Sequence, residues 1–395
     1  MKSFRTLLVL TFAALCASTV ASPAAERYKI VAYYLASPEP ARYFPPEKIP
    51  AAKLTHLNYA FANVQGGEIV VGNPALDTSG PNNFAKLREL KKKHPHLKTL
   101  IAVGGWAWSR NFSDAALTAE SRARFADSGV AFIRQHGFDG IDVDWEFPVA
   151  GGMADNVRRA EDKRNFTLLL QALRDKLGAA GKIDGRHYLL TAALGNNKGA
   201  LSNIEPVPVS STLDWVNVMA YDMNGTWNKY AAHLAPLHRD PGLTLAEADP
   251  QNNVADLIDL YLAAGVPSRK VVLGVPFYGY SWKNCGAPND GEYQLCDGLG
   301  RGTWEDGVLD YSDIEATLVN KNGFKRHWNA AVKAPHVYNP QTGEFVTYED
   351  RQSLKAKLRF LKQRKLGGAM FWELTGDRRH VLLNTLAQEL SPSGG

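Results

Sequence analysis

Cysteine is scarce, with three in 395 residues at positions 16, 285 and 296, so no disulfide framework can substitute for a hydrophobic core. After the N-terminal residues, no segment reaches the roughly 18 consecutive apolar residues that a membrane span requires. Charge of one sign is also lacking: the formal net charge is +5, and basic runs such as Lys91–Lys93 are mixed among acids. That balance calls for neither nucleic acid nor an anionic membrane, and Lys91–Lys93 reads as a solvated helix end. Gly and Pro are scattered as turn punctuation, not pooled into a linker, which predicts one compact unit with an insertion. No Gly-x-Ser-x-Gly elbow occurs, which argues against a serine hydrolase of that type.

What is present begins with Lys2 and Arg5, the apolar run Leu7–Ala14 and small residues through Ala21. This layout predicts a secretory signal over residues 1–21 and an exported product, extracellular or periplasmic. Leu15 stands before Cys16 where a lipoprotein needs a small residue, so a plain signal is favoured. Its removal takes away Lys2 and Arg5 and leaves a net charge of about +3. Cys285 and Cys296 then remain, and in an oxidising compartment they are expected to pair and staple a loop. The 45% hydrophobic and 10% aromatic content is ample for a large core.

Eight apolar, β-branched or aromatic runs recur: Lys29–Leu35, Leu54–Val64, Leu97–Trp106, Phe138–Phe147, Tyr188–Leu194, Leu213–Asp222, Lys270–Gly279 and Gly368–Leu374. Helical periodicity appears between several of them, at Phe84–Lys93, Ala119–His136, Glu161–Leu177, Val254–Ala264 and Val381–Leu390. Alternation of this kind predicts parallel strands and a closed (β/α)8 TIM barrel, with the active site at the C-terminal strand ends. The barrel would comprise residues 22–279 and 368–395. Residues 280–367 are too long for one crossover and are expected to form a small α+β insertion between strands seven and eight. Its parts would be alternating segments near Gly302–Tyr311 and His336–Tyr348, a helix over Asp313–Gly323, a turn at Asn339–Gly343 and a last helix, Arg351–Arg364.

The densest chemistry is Phe-Asp-Gly-Ile-Asp-Val-Asp-Trp-Glu-Phe-Pro, Phe138–Pro148, with four acids in the eight residues from Asp139 to Glu146. In an extended strand Asp142, Asp144 and Glu146 share one face, and Ile141, Val143 and Trp145 the other. Three crowded carboxylates cannot all ionise independently, so at least one keeps a proton near neutrality. Glu146, last in the row and flanked by Trp145 and Phe147, is the general-acid candidate; Asp142 is placed to share a proton with Asp144. Asp139 has the other parity and reads as structural. A metal at the row is disfavoured because neither a Gly-centred calcium loop nor a histidine cluster accompanies it.

The motif resembles that of the family 18 glycoside hydrolases, the chitinases, whose Asp-x-x-Asp-x-Asp-x-Glu is met by Asp139, Asp142, Asp144 and Glu146. Similarity extends to Gly104-Gly105-Trp106, Met219-Ala220-Tyr221-Asp222, Gly274–Gly279 and Met370-Phe371-Trp372-Glu373, and to the insertion, which resembles that of chitinases with deep clefts. The resemblance implies hydrolysis of β-1,4 bonds between N-acetylglucosamine units with retention, the substrate's own acetamide acting as nucleophile. Glu146 would be acid and then base, Asp144 would hold the acetamide N–H, and Asp142 would store the shared proton. Tyr221 would donate to the acetamide oxygen, and Asp222 would contact the sugar and tune Glu146. Trp372 would form the floor, and Tyr33, Phe61, Trp106, Met219 and Trp227 would line neighbouring subsites, since sugar faces pack on flat apolar surfaces. Trp282, Trp304 and Trp328 are weaker candidates of the same kind. Tyr280 departs from the Arg common in relatives, which puts one substrate contact in doubt. No cofactor is implied, and the enzyme is expected to act as a monomer on chitin or its oligosaccharides. The rival readings are a chitin-oligosaccharide-binding lectin, which usually lacks the terminal acid, and a hydrolase of peptidoglycan or N-glycans.

Overall fold

The computed structural model describes residues 28–241, 243 and 252–391; the signal expected over residues 1–21, with Cys16, lies outside them. Eight parallel strands close into a ring: β1 Lys29–Leu35, β2 His56–Gln65, β3 Lys98–Gly104, β4 Gly140–Asp144, β5 Leu189–Leu194, β6 Trp215–Val218, β7 Val271–Pro276 and β8 Gly368–Trp372. Each pairs with the next, and β8 returns to β1 with Gly368 opposite Lys29 and Phe371 opposite Ala32. Both faces of such strands are covered, which is why β7 is buried from end to end and reads as an unbroken apolar run.

The outer helices follow from local signals. The helix Ala119–His136 starts at a capping box between Thr118 and Ser121 and stops at Gly137, whose φ of +80° suits glycine. Its buried residues Phe125, Ala126, Gly129, Phe132 and Ile133 form one stripe against the barrel, and each large apolar side chain there contributes about 1.5–3 kcal/mol. The helix expected over Glu161–Leu177 runs instead from Asp162 to Asp184. Gly178 and Gly181 do not end it, because Ala180 and Gly181 are buried and a side chain at Gly181 would strike the Arg186 carbonyl. Local propensity yields there to packing. Among the described residues, no helix is long and apolar enough to cross a membrane.

The run expected as one strand over Lys270–Gly279 divides in two. After Pro276, Tyr278–Trp282 turns into a five-stranded antiparallel sheet with Val308–Asp310, Lys325–Asn329, Ala334–Asn339 and Glu344–Thr347. The insertion sheet thus begins at Tyr278. The expected helix Asp313–Gly323 is only a short turn Tyr311–Asp313 and a wider one over Ile314–Leu318. The helix Arg351–Gln363, capped by the Asp350 side chain, leads back to β8.

Lys91 differs from the solvated helix end expected of it. Its Nζ lies 2.6 Å from Asp139 Oδ2 and donates to the Gly137 carbonyl at 2.9 Å, while Lys92 and Lys93 are exposed. Asp139 also pairs with Arg186 and accepts from the Thr99 N–H at 2.8 Å. It ties the bottom of β4 to three neighbouring segments: the helix end at Lys91, β3 at Thr99 and the turn before β5 at Arg186.

Candidate active site

Asp142 and Asp144 point into the barrel from β4, but Glu146 does not continue the strand. The ladder with β3 ends where Asp144 faces Gly104, and the Asp144 carbonyl accepts from the Gly105 N–H at 2.8 Å. Beyond it, the Glu146 N–H donates to Ser109 Oγ at 2.8 Å and the Glu146 carbonyl accepts from Asn156 Nδ2 at 2.8 Å. Side chains from two other segments therefore fix the turn that carries Glu146. Trp145 faces the outer helices, stacked on Phe112 at 5.4 Å and edge-on to Phe166 at 5.8 Å.

Each acid has a distinct environment. Asp142 is fully buried and accepts from Tyr33 OH at 2.5 Å, Asn217 Nδ2 at 3.0 Å and the Thr191 hydroxyl. Burial raises its pKa, and these three donors oppose the rise. Asp144 is pushed well above the carboxylate range by burial and by the charges of Glu146 and Asp142. Its Oδ1 is buried without a hydrogen-bond partner. Glu146 is half-buried at the mouth, and burial together with the Asp222 carboxylate pushes its pKa up to about 8. At neutral pH it is mostly a neutral acid, the state a proton donor needs.

Asp222 lies just past β6 with φ +55°. Burial raises its pKa, while hydroxyls of Tyr278 and of Tyr280, the latter at 3.0 Å, donate to its Oδ1 and oppose the rise. Tyr280 thus binds the carboxylate next to the acid, through an uncharged phenol. Among the described residues, the hydrogen-bond partner of the Tyr221 hydroxyl is the Met370 sulfur, at 4.0 Å. Burial and the surrounding carboxylates hold that phenol well above its usual pKa, so it stays a donor.

The aromatic candidates fall into two groups. Trp372, at the end of β8, is half-buried, with Phe61 stacked on it at 5.6 Å and 21° and Tyr33 tilted against it at 5.6 Å. Tyr33 is 1% exposed and committed to Asp142, so it supports the carboxylate and not the cleft wall expected. Trp106 and Trp227 are 54% and 60% exposed at the barrel mouth. Gly105 and Gly225 admit the rings packed on them, because a side chain would meet Phe61 at 2.5 Å in the first case and Trp227 at 2.3 Å in the second. Trp227 also meets Tyr280 edge-on at 5.6 Å. Met219, three positions before Asp222, is half-buried. Trp282 is core of the insertion, Trp304 donates to Asp310, and Trp328 lies beneath Arg326. Cys285 and Cys296 form a disulfide.

Ser109, Asn156, Thr191 and Asn217 escaped the sequence reading, and Tyr278 entered it only as part of the Gly274–Gly279 motif, without a role. Two of them carried a signal: Thr191 and Asn217 are polar residues flanked by apolar ones, in Leu189–Leu194 and Trp215–Val218, and buried polar groups need partners.

The family model for glycosyl hydrolases family 18 matches residues 29–377. Chitinase A1 of Niallia circulans is 43% identical over 417 residues, which cover 94% of this chain and 60% of that relative. The chain therefore spans about three fifths of its length. Among solved structures, chitinase ChiA74 from Bacillus thuringiensis superposes with a TM-score of 0.88 at 40% identity, covering 93% of this chain and 71% of the other. The Group IV chitinase of Ostrinia furnacalis in complex with allosamidin gives 0.83 at 30% identity, covering 91% and 98%.

Proposed function

The chain belongs to glycosyl hydrolases family 18, and from that premise we propose that it is a chitinase cleaving β-1,4 bonds between N-acetylglucosamine units with retention. The observation that carries this reading is the pairing of Glu146, held neutral by burial and Asp222, with Asp144, whose buried Oδ1 has no partner. An acid poised to protonate a leaving oxygen stands beside an acceptor that lacks a donor.

In the proposed mechanism the substrate's acetamide oxygen attacks its own anomeric carbon, an intramolecular step with high effective molarity. Glu146 gives its proton to the departing glycosidic oxygen. Asp144 Oδ1 accepts the acetamide N–H and stabilises the positive charge that develops on the oxazolinium ring. Asp142, held by three donors, keeps or returns the proton that Asp144 must shed. Tyr221 donates to the acetamide oxygen, and Asp222 contacts the sugar and raises the Glu146 pKa. Trp372 forms the floor, braced by Phe61 and Tyr33, and Trp106, Trp227 and Met219 line neighbouring subsites. Glu146, now ionised, takes a proton from water, which opens the ring with the original configuration.

The proposal includes an exported enzyme that acts as a single copy and without a cofactor. Support for export is the charged and apolar layout of residues 1–21 together with the Cys285–Cys296 bond, which suits an oxidising compartment. The test is to incubate wild type and Glu146→Gln with chitin oligosaccharides and follow the products by NMR. Initial β anomers from wild type and loss of cleavage in the variant are expected. Undiminished cleavage by the variant, or initial α anomers, would overturn the mechanism; saturable sugar binding with no cleavage by wild type would favour the lectin.

A further inference from the structure

Three side chains from separate segments converge between the loop that follows β6 and the insertion sheet. They are His233 in the loop, Glu292, and His336 on the strand Ala334–Asn339, and one candidate ligand atom from each lies within 4.8 Å of the others. Neither histidine has access to solvent, at 2% and 3% exposure. His336 has no hydrogen-bond partner at either ring nitrogen, and His233 has none at Nδ1. Buried polar atoms in native proteins are paired in the large majority of cases, and each neutral imidazole has one lone-pair nitrogen, so among the described residues the cluster leaves one lone pair per histidine to be met by an electron-pair acceptor.

The surroundings hold these groups in position. The His336 ring is stacked between Phe345 at 4.8 Å and His327 at 5.0 Å, which leaves only its edge free to bind. Glu292 Oε1 shares a hydrogen bond with His233 Nε2 at 2.5 Å and accepts from Asn329 Nδ2 at 2.8 Å. Asn329 reaches on to Asp240, which also accepts from Tyr293 OH at 3.0 Å. This outer ring of hydrogen bonds orients the carboxylate in the manner of an outer shell around a metal. Glu292 further lies within the loop closed by Cys285–Cys296.

We propose that His233, Glu292 and His336 bind a zinc-type divalent ion that pins the loop after β6 to the insertion. Two imidazoles and one carboxylate are a recurrent zinc set with a fourth position for water, whereas calcium and magnesium demand oxygen ligands. Ligands of one tetrahedral zinc stand about 3.4 Å apart for bonds near 2.05 Å, so rotations of the His233 and Glu292 side chains complete the triangle. The site shares no residue with the carboxylate row. The same loop carries Asp222 and Trp227, so the ion would stiffen one side of the cleft without entering it.

The test uses the full protein stripped with a chelator and titrated with zinc chloride by calorimetry. One ion per chain with micromolar or tighter Kd is expected, and a rise in Tm on the order of 4 °C at a hundredfold excess over Kd. His336→Gln and Glu292→Gln should each weaken binding at least tenfold, while Glu146→Gln leaves it unchanged. Circular dichroism identifies a variant that fails to fold; Glu292 is partly exposed, so its substitution is the safer arm. Absence of saturable binding would overturn the proposal, as would zinc binding that survives both substitutions or disappears with Glu146→Gln.

Discussion

Raising the pH from 7 to 9 should disable the acid without touching the fold. With the Glu146 pKa near 8, its protonated fraction falls from about nine-tenths at pH 7 to one-half at pH 8 and one-tenth at pH 9. The sign follows from the role, because only the protonated form can donate to the leaving oxygen. On an unmodified chitin oligosaccharide, kcat/KM should therefore drop about tenfold between pH 7 and pH 9, since that parameter reports the free enzyme. Asp222→Asn removes one of the two causes of the raised pKa while its side-chain oxygen can still accept from Tyr278 and Tyr280. The basic limb should move to lower pH yet stay above that of an ordinary glutamate, because burial, the larger cause, remains. A nitrophenyl glycoside, whose leaving group departs without protonation, should show a shallower limb. A profile flat to pH 9, or a limb that Asp222→Asn leaves in place, would refute this account of how Glu146 is tuned.

Tyr33→Phe removes a donor from Asp142 but keeps the ring against Trp372; kcat should fall about tenfold with KM little changed, as expected for one lost hydrogen bond to a charged group. A fall in KM alone would count against Tyr33 as the support of Asp142. Lys357 and Glu349 form a fully buried ion pair beside the insertion, so Lys357→Met should destabilise the protein by about 3–5 kcal/mol in denaturant titrations. Adding Glu349→Gln should recover part of the loss. Replacing Cys285 and Cys296 by Ser should cost about 2–4 kcal/mol, the usual effect of opening a loop of this size, read as a lower midpoint in chemical unfolding.

Much of the barrel was legible because its strands are covered on both faces and read as apolar runs, and because several helices between them carry their own caps, as at Thr118 and Asn253. Ala119–His136 and Val381–Leu390 are found where periodicity placed them. Local signals failed where neighbours overruled them. Gly178 and Gly181 do not end a helix that packing sustains to Asp184, and Pro276 marks a change of sheet inside what reads as one continuous strand. Ser109 and Asn156 were invisible as site residues, since their part is to hold the backbone at Glu146 from 37 and 10 positions away, a contact that only the folded turn creates.

Side chains alternate in any extended strand, so once Phe138–Phe147 reads as a strand the sequence alone determined that Asp142 and Asp144 share a face and that the acids are crowded. It also determined the strand–helix order that a closed barrel requires. Which acid keeps a proton was decided by tertiary structure. Glu146 leaves the strand in a turn held by Ser109 and Asn156, Asp142 receives donors from β1, β5 and β6, and Asp222 arrives from 76 positions downstream of Glu146. Proton affinity depends on burial and on charges within a few ångströms, and those neighbours are assembled only when the barrel closes.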